Sequence, residues 1–162
     1  MLDYLGIFRE LNTKRIRYVL VGGLAVNLHG IPRMTYDIDL LLDLEDRNVE
    51  QFIQLIASWG FKPKIPVAIA DFADAEKRRD WIENKNMKAF NLVNEAWAIR
   101  GIDILIQAPV DFAKADEGKK VVVIQGVSIP IVGLDDLIRM KEHTDRRQDE
   151  ADVRSLKELY DE

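Results

Sequence analysis

Three aspartates and one pair of adjacent glycines are the residues of this chain whose types and spacing suit chemistry. Val21-Gly22-Gly23 is followed, after thirteen residues, by Asp37-Ile38-Asp39-Leu40, and Asp103 stands between Ile102 and Ile104. In an extended segment alternate side chains share a face, so Asp37 and Asp39 project together with Cα atoms ~6.5–7 Å apart. Carboxylates held that close repel one another, and beside a sheet face the repulsion raises a pKa or recruits a cation. An all-oxygen set suits a hard ion, Mg²⁺ or Mn²⁺, which keeps coordination positions open for phosphate oxygens. A glycine turn between strand and helix lets a ligand approach the backbone, and the helix N-terminus then offers N–H donors to an anion. Phosphate at that turn, beside carboxylates that hold a metal, is the arrangement of a nucleoside triphosphate site. Asp103 is a third acid of the right type on a separate strand. Each part taken singly has a structural reading, as a solvated strand face, a plain turn or a capped acid; the joint spacing is what points to a site.

Composition narrows the chemistry further. The 162 residues include no cysteine and only two histidines, His29 and His143, which removes thiol nucleophiles, disulfides and Cys-ligated zinc or iron–sulfur centres. A formal net charge of −5 argues against a protein that coats nucleic acid through bulk charge, although a local basic patch still steers a phosphate-bearing substrate. The N-terminus lacks a basic leader, and no apolar run approaches the ~18–20 residues of a membrane span. A cytoplasmic location without membrane contact is the expectation.

The elements that must position these residues follow from periodicity. Residues 2–11 place Leu5, Phe8 and Leu11 at helical spacing, and 18–21 form a short apolar strand that ends at the glycines. A short helix is expected over 24–28, a strand over 36–42 and a long amphipathic helix over 45–59. In the last, Val49, Phe52, Ile53, Ile56 and Ala57 make the apolar stripe and Gly60 the stop. Residues 61–69, interrupted by Pro63 and Pro66, read as an edge strand or loop, and 71–84 as a helix carrying Lys77-Arg78-Arg79 on a solvated face. Strands follow at 89–93 and 99–106, a hairpin at 121–124 and 127–131, and one broken or two separate charged helices from 134 onward. His29 reads as structural, and Trp59, Trp81 and Trp97 as core residues without the spacing of a stacking platform. This order of helices and strands predicts an α/β (α+β) fold with one mixed sheet, organised as a single domain over 1–162. The core is expected at about 16–132 and a C-terminal helical segment at about 134–160.

The combination apolar-Gly-Gly, Asp-apolar-Asp-apolar and a later strand acid resembles the DNA polymerase beta-like nucleotidyltransferase superfamily. The context Gly22-Gly23-Leu24-Ala25, His29-Gly30 and Arg33-Met34-Thr35-Tyr36-Asp37 resembles its small bacterial branch with the AbiEii-type toxins. In the tail, Lys141, Arg146, Asp149, Asp152 and Leu156 are similar to the Lys…Arg-x-x-Asp-x-x-Asp-x-x-x-Leu signature of that branch. Residues 60–98 match no pattern of the family.

The resemblance implies that Asp37, Asp39 and Asp103 are catalytic and metal-binding, holding two Mg²⁺ ions ~3.5–4 Å apart. It implies that Gly22, Gly23, Arg33, Thr35, Lys141, Arg146 and Asp149 bind the nucleotide, with Arg33 and Lys141 as cations for the departing pyrophosphate. The co-substrate is then a nucleoside triphosphate, and the acceptor a hydroxyl of tRNA or other RNA, of a protein, or of a small hydroxylated molecule. A toxin-like enzyme implies an antitoxin protein as partner. A second reading stays open: a non-catalytic module that keeps the fold and binds a nucleotide or a partner.

Overall fold

The structure, a computed structural model, describes residues 2–142 and 146–160; His143 lies outside them. Helix α1 (Tyr4–Thr13) starts on Asp3, whose carboxylate accepts from the Gly6 amide at 2.7 Å, and buries Ile7, Phe8 and Leu11. Strand β1 (Tyr18–Val21) is buried at all four positions, the pattern of a strand covered on both faces. It runs straight into α2 (Gly22–Leu28), which begins two residues before the expected start because Gly22, at φ +71°, makes the turn inside the glycine pair.

Strand β2 (Asp37–Leu42) sends Ile38, Leu40 and Leu42 into the core and leaves Asp37 and Asp39 on the other side. Helix α3 (Asp46–Ser58) is capped by the Glu45 carboxylate and buries Val49, Phe52, Ile53 and Ile56 as the stripe predicts. Ala57, expected in that stripe, is exposed; Leu55 is buried instead, so the apolar face is turned slightly from the expected one. Buried Asn48 latches this helix to the sheet: its amide donates to the Arg17 and Asp43 carbonyls at 3.0 and 2.7 Å, and its oxygen accepts from the Arg17 amide at 2.8 Å.

The helix expected over 71–84 is two elements. A 3-10 turn, Ile69–Ala73, buries Phe72, and α4 (Ala75–Lys85) starts afresh on Asp74, whose side chain accepts from the Glu76 and Lys77 amides. Arg78 is not on a solvated face: it is buried, donates to the Phe72 carbonyl and lies over the Phe72 ring. Trp81 stacks on Phe90, which stacks on Phe72, and Trp59 packs with Trp97, so the tryptophans serve packing. Burying a side chain of this size is worth roughly 1.5–3 kcal/mol.

The remaining elements are β3 (Lys62–Pro63), β4 (Ala89–Val93), β5 (Gly101–Leu105), α5 (Phe112–Glu117), β6 (Lys120–Ile124), β7 (Val127–Ile131), α6 (Leu134–Glu142) and α7 (Arg147–Tyr160). Short α5, capped by Asp111, was not expected from the pattern. Gln125 and Gly126, at φ +49° and +79°, form the two-residue turn of the β6–β7 hairpin. The sheet has seven strands in the order β3-β4-β5-β2-β1-β7-β6, with β2∥β5 and β1∥β7 parallel and the other neighbours antiparallel. It is the mixed α/β architecture that the element order predicts. Among the described residues no helix is long and apolar enough to cross a membrane.

Candidate active site

Register brings the acids together. Parallel pairing of β2 with β5 sets Asp39 beside Asp103 and Asp37 beside Gly101, while antiparallel pairing of β4 with β5 sets Asn91 beside Asp103. Antiparallel pairing of β1 with β2 puts Asp39 opposite Val21, the residue before the glycine turn. Two strands distant in sequence thus deliver the acids, and a third delivers Asn91, to one patch against the N-terminus of α2.

Glycines make the room. A Cβ on Gly22 would stand 2.0 Å from Asp39 Oδ2, and one on Gly101 would stand 2.7 Å from Asp37 Oδ1. A Cβ on Gly23 would meet Thr35 Oγ1 at 2.9 Å and the Arg33 guanidinium carbon at 3.1 Å. The diglycine therefore lets one acid, one hydroxyl and one guanidinium close on the turn.

The electrostatics of the acid cluster are dominated by burial. Asp39 is pushed up to about 7, first by burial and then by the negative charges of Asp103 and Asp37. Asp103 is also raised by burial; the 2.8 Å hydrogen bond donated by Asn91 Nδ2 works in the opposite direction. Asp39 and Asp103 face each other across β2 and β5, so each carboxylate raises the cost of ionising the other. Both residues are half-buried, so the pair is a partly desolvated acidic centre.

Opposite the acids lies a charged network on the last two helices. Lys141 of α6 is buried with its ammonium 3.0 Å from Asp149 Oδ1 and 2.9 Å from Asp152 Oδ2 of α7. Asp152 also takes the Arg33 guanidinium and, on its other oxygen, the Gln148 amide at 2.9 Å. Arg146 lies 3.6 Å from Asp149 with its side chain largely exposed. Asp149 and Asp152, one helical turn apart, thereby hold two cations beside the glycine turn.

A cavity of about 900 Å³ joins the two halves. Its walls include Asp37, Asp39 and Asp103, then Gly22, Gly23, Arg33 and Thr35, and on the tail Lys141, Arg146 and Asp149. All the candidate site residues of the sequence therefore face one space. His29 lies outside that lining; its Nε2–H donates to the Val132 carbonyl at 2.8 Å, and burial lowers its pKa. Three residues with evident roles were not among the sequence candidates. Gly101 shares the polar face of β5 with Asp103 at a spacing of two, a legible signal, and Asn91 falls on the polar face of β4. Asp152 carries a signal in the tail signature, but its grip on both Arg33 and Lys141 depends on helix packing.

The donor set fits a hard divalent cation: it is oxygen-only, and the register places three carboxylates on one patch while Lys141 is engaged by Asp149 and Asp152. Among the described residues no three ligating side chains are grouped as a ready-made metal cage.

No family model and no curated protein matches the sequence. Similar solved structures do exist. One is the lincosamide antibiotic adenylyltransferase LnuA with lincomycin bound, at TM-score 0.61 and 18% identity over 93% of this chain and 92% of that one. A second is an antigenic nucleotidyltransferase-like protein from Paracoccidioides brasiliensis, at 0.57 and 17% identity over 96% and 73% of the two chains. A third, from Thermotoga maritima and also described as a nucleotidyltransferase, has TM-score 0.53 and 17% identity over 100% and 97%. The fold is that of nucleotidyltransferases.

Proposed function

We propose that this chain transfers a nucleoside monophosphate from a nucleoside triphosphate to an acceptor hydroxyl. The observation that carries this reading is the cavity that unites the Gly22-Gly23 turn, the three acids and the paired cations. The α2 N-terminus and the turn receive the triphosphate, with Arg33 and Lys141 beside them to offset its charge. Asp39 or Asp103, as the carboxylate, takes the proton of the acceptor hydroxyl. As the acceptor oxygen bonds to the α-phosphorus, the bond from that phosphorus to the bridging oxygen breaks, and pyrophosphate leaves with the electron pair. Asp37, Asp39 and Asp103 would hold Mg²⁺ or Mn²⁺, which when bound supplies charge neutralisation for the triphosphate and lowers the pKa of the attacking hydroxyl.

A small hydroxylated acceptor is favoured over an RNA end. LnuA, lincomycin-bound and matched over 92% of its own length, supports this, as does the net charge of −5. An RNA acceptor together with an antitoxin partner rests on the sequence resemblance alone, in the context of Gly22 to Asp37 and in the tail signature. A non-catalytic nucleotide-binding module is the second reading, motivated by the lack of a preformed cage among the described residues. The test is transfer of label from α-labelled nucleoside triphosphates with Mg²⁺ to pooled small alcohols, proteins and RNA. Transfer that vanishes in Asp39→Ala supports the enzyme; equal transfer by that variant refutes the mechanism. Mg²⁺-dependent ATP binding without turnover supports the module.

A further inference from the structure

The cavity does not end at the acids. Past Lys88, Ala89 and Asn91 it meets a second groove of about 600 Å³, whose lining shares those three residues with it. The far wall is Ile65-Pro66-Val67, fixed as a tight turn in which the Val67 amide donates to the Ile65 carbonyl at 2.8 Å. Met87 forms the floor, held by its amide to the Trp81 carbonyl at 3.0 Å after Asn86 takes the left-handed conformation that ends α4. The surface is preformed, apolar and contiguous with the acid cluster.

Its charge has one sign. Lys85 and Lys88 line the groove, and among the described residues no acidic side chain does. Lys64 adds to this side: its amide donates to the Asn91 carbonyl at 2.9 Å, and its charge acts on Asp103. An occupant reaching from this groove to Asp103 meets apolar surface and lysine, and only then the carboxylates. A cationic acceptor finds no counter-charge here, whereas an anion finds lysines. A long polyanion meets the overall charge of −5 beyond these few lysines.

We propose that this groove is the acceptor subsite, and that it takes a small hydroxyl-bearing molecule with an apolar body and a phosphate or similar anionic group. The assignment rests on the nucleotidyltransferase reading and names the substrate class for it. The anionic group lies by Lys85 and Lys88, the apolar body on Pro66 and Met87, and the hydroxyl points past Asn91 towards Asp103.

The methionines separate the two levels of the argument. Met34 and Met140 line the catalytic cavity, whereas Met87 lines the groove. In a protein labelled at the methionine methyls, Mg²⁺–ATP is expected to shift the Met34 and Met140 signals. With ATP present, 4-nitrophenyl phosphate is then expected to shift Met87 saturably, and Lys85→Glu to weaken that binding about five- to tenfold at low salt. The subsite assignment is overturned if Met87 ignores the aryl phosphate, responds equally to benzylamine, or responds only to a short oligoribonucleotide. It is also overturned if Lys85→Glu binds as tightly as the parent. Silence of Met34 and Met140 towards the Mg²⁺ complexes of all four nucleoside triphosphates instead overturns the nucleotidyltransferase reading, independently of what Met87 reports.

Discussion

Replacing Gly22 by alanine separates the conformational role of the glycine turn from its role in seating Asp39. Gly22 has φ +71°, and left-handed backbone costs a residue with a Cβ ~1–2 kcal/mol. The added carbon would also stand 2.0 Å from Asp39 Oδ2, against the ~3.5 Å of an unstrained contact, so the carboxylate must move by roughly 1.5 Å. A displacement of ~1 Å at a reacting centre costs ~10²-fold in rate. Gly126 in the β6–β7 turn supplies the matched control, with φ +79° and nothing within 4 Å of an added Cβ. Gly126→Ala is expected to lose about 1–2 kcal/mol, or ~2–8 °C in Tm, and Gly22→Ala more than that, because its Cβ also meets Asp39 Cβ at 2.8 Å, a contact that rotating the carboxylate does not relieve. Only Gly22→Ala is expected to lose about a hundredfold in nucleotidyl transfer and to bind Mn²⁺ more weakly. The assays are thermal unfolding, α-label transfer and Mn²⁺ titration. If folded Gly22→Ala keeps transfer within threefold of the parent, the close fit of turn and carboxylate has no catalytic meaning.

Three further outcomes are expected. Asp152→Asn leaves Arg33 and Lys141 without their shared carboxylate, so urea unfolding should show a loss of about 3 kcal/mol, and KM for the triphosphate should rise; unchanged values for both would show that the network is incidental. Asp39 and Asp103 are both raised in the fold, so the metal-free protein binds more protons folded than unfolded. Their stabilisation is complete at pH below ~4 and is lost as pH rises through about 7, with a slope of up to ~1.4 kcal/mol per pH unit for one proton; Tm measured against pH should lose part of this slope in Asp39→Asn or with saturating Mg²⁺. Asn91→Ala removes the donor that lowers Asp103, so the acid limb of the transfer rate should move to higher pH, and an unmoved profile would exclude Asp103 from the proton-bearing pair.

Local rules were enough for much of the chain. Alternation placed Asp37 and Asp39 on one face of β2 and Ile38, Leu40 and Leu42 on the other. Glycine chemistry marked the strand-to-helix turn and the β6–β7 hairpin, and the stripe of α3 was nearly right. The failures have physical causes. The helix expected over 71–84 is interrupted because Asp74 caps the following turn while Phe72 is drawn into the core. Arg78 reads as a surface charge, yet its guanidinium is satisfied by a carbonyl and a ring that only packing supplies.

The sequence by itself determined the chemistry available: oxygen ligands without thiols, a glycine turn able to admit an anion, and carboxylates at a spacing that shares a face. These follow from residue type and from periods of two and 3.6, which are properties of the local chain. Tertiary structure decided which groups meet. Strand register set Asp103 beside Asp39 and Gly101 beside Asp37, and helix packing folded Asp152 back onto Arg33 across more than a hundred residues. Burial then raised the Asp39 pKa, because desolvation depends on what the rest of the chain lays over a carboxylate.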